Sequence, residues 1–243
     1  MNAYRGNSMI LTGTIINGVS IIIGTIIGIF FQSIPVKVKE TVLKVNGLFI
    51  IVMGIQMAIS SKSSSLAIIS LVSLVLGAVI GEYLDIDKKF YSAGNWIENK
   101  INRKESNVSK AFVTSSLMFV IGAMAILGAL ESGLRNNHTI LFTKSLLDGI
   151  TSIILASTLG FGVMLSAIPV VIYQGLIALM ATQINTFLPQ ELQKEIISII
   201  TSTGGVLIIA IGTNLLELTK IRIANLLPSV LVSCLLAAIY FYI

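Results

Sequence analysis

Long apolar runs separated by short polar segments fill most of this 243-residue chain. A helix needs about 20 apolar residues to cross a bilayer. Eight runs approach that length: 10–31, 45–60, 66–84, 111–130, 140–165, 170–187, 196–218 and 223–242. Only Ser166-Ala167-Ile168-Pro169 separates the fifth from the sixth. It reads as a turn, because proline lacks an N–H and disfavours helix in the residue before it. If the chain only kinks there, seven spans remain. The predicted fold is all-α, a polytopic transmembrane helical bundle of seven or eight spans in a single transmembrane domain over residues 1–243. The first run is not expected to be a cleavable signal peptide, since it exceeds the usual apolar core and no small-x-small site follows it.

The segment 85–110 is the one sizeable polar interruption. Ile86, Phe90, Ile97 and Ile101 recur in it at helical spacing, with Lys88, Lys89, Lys100, Arg103 and Lys104 elsewhere around the wheel. It reads as a basic amphipathic helix on anionic lipid, or equally as a linker packed on its own bundle. Composition narrows the class further. The chain is 55% hydrophobic and 11% charged, against about 25% charged in soluble domains, which excludes an ordinary soluble enzyme and a disordered chain. One cysteine and one histidine exclude a disulfide framework and any multi-Cys or multi-His metal site.

Orientation follows from lysine and arginine alone. With eight spans one side holds Arg5, Lys62, Arg135, Lys144 and Lys194, and the other holds the remaining eleven, so 32–44, 85–110 and 219–222 are expected in the cytoplasm. Both termini then face outside. The net charge of +5 is thereby accounted for, and no nucleic-acid partner is expected.

Parts of the chain repeat. The segment from Gly47 through Gly54 to Gln56 aligns with that from Gly205 through Gly212 to Asn214, an offset of 158. The segment from Ser70 to Ile80 aligns with that from Ser229 to Ile239 at 159. These two hairpins would face opposite ways, the inverted relation found in many transporters. A third match, Asn17-Gly18 and Ser20 with Asp148-Gly149 and Thr151, has an offset of 131 and relates spans of one orientation.

Several strings, taken in order, identify a family. They are Met9-Ile-Leu-Thr-Gly-Thr-Ile-Ile-Asn17-Gly18, Leu76-Gly-Ala-Val-Ile-Gly-Glu82-Tyr-Leu-Asp85, Gly122-Ala-Met-Ala-Ile-Leu-Gly-Ala-Leu130, Lys144-Ser-Leu-Leu-Asp148-Gly-Ile-Thr151, Ile211-Gly-Thr-Asn214 and Lys220-Ile-Arg222-Ile-Ala-Asn225-Leu-Leu-Pro228. Over residues 9–243 the chain resembles the domain of unknown function 554 family, bacterial inner-membrane proteins of the YdfK/YqgA type. The resemblance implies a multi-spanning protein of the bacterial cytoplasmic membrane, in a family often labelled as transporters without a substrate. It supplies no site residues.

Candidate chemistry comes from polar groups inside the runs. A charged residue costs about 2.5–3.5 kcal/mol at a helix centre on insertion scales. Asp148 lies eight residues into its run, roughly 12 Å along a helix. Thr151 and Ser152 share its face. A carboxylate beside hydroxyls can bind a hard cation or carry a proton. The structural alternative is a neutralising pair with Lys144 at i−4. Asn17 lies in a polar stripe with Thr14 and Ser20, and Gln56, Gln174 and Asn214 add amides in three other runs. Such groups serve either as interhelical glue or as the lining of a solute path.

Other features are read more plainly. Thr201-Ser-Thr-Gly-Gly205 reads as an unwound, anion-binding helix start or as an ordinary capped one. Asn225-Leu-Leu-Pro228 reads as a kink or a helix start. Gly24xxxGly28 and Gly77xxxGly81 mark tight helix packing or a homo-oligomer seam. Glu82 with Asp85 and Asp87 has cation-binding potential beside Lys88 and Lys89, His138 is expected in solvent and Cys234 in the core.

No nucleotide, zinc-protease or serine-hydrolase motif occurs, so an enzyme is not expected, nor a cofactor or a metal site. The expected function is a secondary transporter or ion-coupled carrier of a small polar solute or ion. Asp148, Thr151, Ser152, Asn17, Gln174 and Asn214 would form the binding residues, and the lipid bilayer and that solute would be the partners. The alternative is a non-transport membrane scaffold or regulatory protein whose polar residues only hold helices together.

Overall fold

The computed structural model describes residues 10–31, 35–60, 64–89, 92 and 108–242. The helices are α1 (Thr12–Phe30), α2 (Val36–Ala58), α3 (Ser64–Leu84), α4 (Val108–Val120), α5 (Ala123–Arg135), α6 (Thr139–Leu159), α7 (Gly162–Leu165), α8 (Ala167–Leu179), α9 (Ala181–Phe187), α10 (Gln190–Leu215) and α11 (Pro228–Tyr242). A 3₁₀ turn at Ile223–Leu226 precedes α11. Among the described residues there is no strand. Among the described residues seven helical segments, with Gly162–Leu179 and Ile223–Tyr242 each taken as one, are long and apolar enough to cross a membrane, or eight if α4 and α5, bent by 59°, form one broken span. The chain forms two compact units, Met1–Lys39 with Lys104–Pro189, and Glu40–Arg103 with Gln190–Ile243.

The sequence pattern of α1 explains how helices pack in the first unit. Its buried face is Gly13, Thr14, Asn17, Gly18, Ile21, Gly24, Thr25 and Gly28, while Ile15, Ile16, Val19, Ile22 and Ile23 are exposed. Large apolar residues outward and small or polar ones inward is the reverse of a soluble core. It suits lipid, where close backbone approach replaces the hydrophobic drive. A Cβ placed on Gly24 would overlap the Gly149 carbonyl, and one on Gly28 the Ile153 carbonyl. Gly13 faces the Leu141 side chain. Numbers rise together along both helices, so α1 and α6 lie parallel.

In the second unit α2 and α10 run antiparallel. Gly47 faces Leu216 and the Gly212 carbonyl, and Gly54 faces the Gly205 carbonyl. Gly77 of α3 sits on the Ser229 backbone and Gly81 on the Asn225 carbonyl, so α3 and α11 are also antiparallel. Both small-xxx-small pairs are therefore occupied by helices of the same chain.

Three expectations need correction. The break between the fifth and sixth runs falls at Gly160, whose φ of 85° ends α6, and not at Ser166–Pro169. Pro169 sits in the first turn of α8, where a missing N–H costs nothing, and the span continues from Gly162 to Leu179. Second, the fourth run bends at Gly122, whose φ of 143° only glycine adopts readily. Third, Thr201–Gly205 lies inside α10, which starts earlier at Gln190. Its hydroxyls are used in packing: Thr201 donates to the Ile197 carbonyl, Ser202 to the Ala58 carbonyl and Thr203 to Ser70 Oγ. Asn225 to Pro228 is a helix start, as one reading held. Most of the 85–110 segment, including Phe90, Ile97 and Ile101, lies outside the described residues.

Candidate solute-binding site

Four side chains from three helices of the first unit converge. On α6 the buried face carries Lys144, Ser145, Asp148 and Ser152 at helical spacing. Asp148 is the tenth residue of the 21-residue helix, about 14 Å along its axis and so close to its midpoint. Lys144 Nζ donates to Asp148 Oδ1 at 2.9 Å and to Oδ2 at 2.7 Å. The two side chains are each 9% exposed, so the pair is closed off by its own protein.

The parallel crossing of α1 on α6 brings Asn17 to the same carboxylate. Asn17 Nδ2 donates to Asp148 Oδ2 at 3.0 Å and to Gln174 Oε1 of α8 at 3.3 Å. Asn17 and Gln174 are completely buried. A chain of polar contacts thus runs from ammonium to carboxylate to amide to amide. It is not saturated, because Asn17 Oδ1 and Gln174 Nε2 are buried without a partner, as are Thr14 Oγ1 of α1 and Ser152 Oγ of α6 outside it. Native interiors leave few such groups, and each invites a ligand, an ion or water.

Of the six expected site residues, Asp148, Asn17 and Gln174 are in direct contact. Ser152 lies one turn further along α6, packed at Gly24, and Thr151 is half-buried beside it. Asn214 belongs to the other unit, and its amide is engaged elsewhere. It donates to the Ile221 carbonyl and accepts from Thr219 Oγ1 and the Ile221 N–H, holding the turn after α10. Asn214→Ala is therefore expected to lower stability by about 1–2 kcal/mol, read by thermal unfolding and by faster proteolysis within 216–221. Gln56 is exposed on α2.

Lys144, in sequence only a neutralising neighbour of Asp148, is by its burial part of the cluster. His138 is half-buried, not fully solvated: Ser132 Oγ lies 2.7 Å from His138 Nδ1 and donates to the Ile10 carbonyl. Cys234 is only half-buried. Glu82 pairs with Arg222 at 2.7 Å. Burial lifts the Asp87 carboxyl above its ordinary range, with the Ala224 N–H and Arg222 acting against the rise. Among the described residues no group of His, Cys, Asp and Glu has the arrangement to hold a metal.

Seven or eight membrane-length apolar segments, packed through small residues, define a polytopic helical membrane protein. Residues 12–238 match the family described as Protein of unknown function (DUF554), and the chain belongs to that family. It is 37% identical over 223 residues to the Uncharacterized membrane protein YdfK of Bacillus subtilis (strain 168), covering 90% of this chain and 93% of that one. It is 27% identical over 232 residues to the Uncharacterized protein YqgA of Escherichia coli (strain K12), covering 93% and 96%. No solved structure matches the chain.

Proposed function

We propose that this chain is a secondary transporter or ion-coupled carrier of a small polar solute or ion in the bacterial cytoplasmic membrane. One observation carries the reading: the buried Lys144–Asp148–Asn17–Gln174 chain with its unpartnered polar atoms. Intramembrane ionisable residues are costly, and where they persist they commonly mark solute or ion pathways. A scaffold needs only satisfied contacts, whereas two atoms of this chain, Asn17 Oδ1 and Gln174 Nε2, are open.

The helix pairs of the second unit add support. Gly47 meets Gly212, and Gly54 meets Gly205, while the sequence pairs Gly47 with Gly205 and Gly54 with Gly212. Each contact is thus the counterpart of the other, as in an inverted repeat with a local two-fold axis between antiparallel helices.

A thermal-shift screen tests the proposal on purified protein with Na⁺, K⁺, Mg²⁺, protons, amino acids, organic acids and small bases. A ligand at 100 times its Kd adds about 2.7 kcal/mol, a rise of roughly 5–10 °C for a chain this size. The expected result is a solute that stabilises the wild type and not the Lys144→Met/Asp148→Leu double variant. No stabilising solute for either protein would favour the scaffold.

A further inference from the structure

The open atoms of the cluster have a definite chemistry. The two N–H bonds of Asn17 point at Asp148 Oδ2 and Gln174 Oε1. A carboxylate and a carbonyl only accept, so the amide orientation is fixed with Asn17 Oδ1 turned away. Gln174 Oε1 accepts from Asn17, which leaves Gln174 Nε2 free. Both remaining atoms are buried and unpartnered, one an acceptor and the other a donor. The charges beside them cancel, since the Lys144 ammonium and the Asp148 carboxylate hold each other. An ionic solute would add an uncompensated charge to this interior.

A second observation concerns position. Asn17-Gly18 recurs as Gln174-Gly175, 157 residues later, next to the offsets of 158 and 159 in the two matched hairpins. Gly18 packs on Val171, and Gly175 is nearest to Leu11 and Thr14, so α1 and α8 cross antiparallel. Adding 157 to Thr14 reaches Val171, and adding it to Gly18 reaches Gly175. The crossing is therefore locally two-fold, with the two amides beside its centre as counterparts. Solute sites in inverted-repeat transporters lie near the midplane at such crossings.

Resting on the transport reading above, we propose that the solute binds at Asn17 Oδ1 and Gln174 Nε2 and is a small uncharged molecule with adjacent hydrogen-bond donor and acceptor, a carboxamide or an undissociated carboxylic acid. A solute held there takes its acceptor contact from α1 and its donor contact from α8.

Thermal-shift titrations of the full chain in nanodiscs test this, with acetamide, acetic acid, potassium acetate and tetramethylammonium chloride as probes. Acetamide should stabilise the wild type at all pH values. Acetic acid should do so only below its own pKa, where the undissociated form prevails, and this separates the two sources of the same edge. Gln174→Met should raise the apparent Kd for acetamide about tenfold or more. The Asn17→Gln/Gln174→Asn exchange keeps both amides and should respond within a few-fold of wild type, which guards against a misfolded single variant. Stabilisation by acetate or tetramethylammonium without acetamide would overturn the proposal and leave the transport reading standing. No response to these probes or to any solute of the wider panel would overturn both.

Discussion

Asp148→Ala is expected to destabilise the protein by about 3–5 kcal/mol, the largest single effect in the chain. The substitution leaves the Lys144 ammonium buried without its carboxylate, and an uncompensated charge costs far more than the pair contributes. It also removes the acceptor that orients Asn17. Replacing both charges, as in Lys144→Met/Asp148→Leu, should recover most of the loss, because buried pairs exchange for apolar residues at little cost. Unfolding in a detergent–denaturant series separates the cases. Equal loss from the single and double variants would mean that the pair itself, not an orphaned charge, carries the stability.

The second large effect belongs to glycine. A methyl group at Gly24 would overlap the Gly149 carbonyl, and α6 backbone cannot rotate aside as a side chain would. Gly24→Ala should cost about 1–3 kcal/mol by overpacking, despite the general helix preference for alanine. Gly175→Ala provides the contrast, since its methyl would meet nothing nearer than 3.6 Å and stability should stay level or rise slightly. Thermal unfolding of the two variants side by side decides the matter. Equal behaviour would show that α1 and α6 leave room for a methyl group at Gly24.

Much of this was legible in the sequence, for reasons that differ by residue. Span positions follow from length and apolarity, which a bilayer sets almost alone. Asn17, Asp148 and Gln174 stood out because polar groups in such runs are few. Boundaries were harder. Pro169 suggested a break that the chain makes at Gly160, because proline is harmless in a first helical turn. Thr201–Gly205 looked like a helix start only because the polar residues before it conceal the true start of α10 at Gln190. Asn214 showed the same chemistry as Asn17, yet its place just before a turn commits its amide to backbone groups. Only tertiary contact separates such cases.

The transport reading requires that water and solute reach the buried cluster in at least one state, which a scaffold never requires. Ser152 is fully buried with an unpartnered hydroxyl, and cysteine there is nearly isosteric. The decisive measurement is labelling of Ser152→Cys, in a Cys234→Ser background, by a membrane-impermeant thiol reagent in intact cells and inverted vesicles. The account predicts labelling from at least one side, slowed when the stabilising solute is present. A thiol at 152 that stays unlabelled from both sides, while an Asn137→Cys control on the exposed turn labels fully, would contradict it.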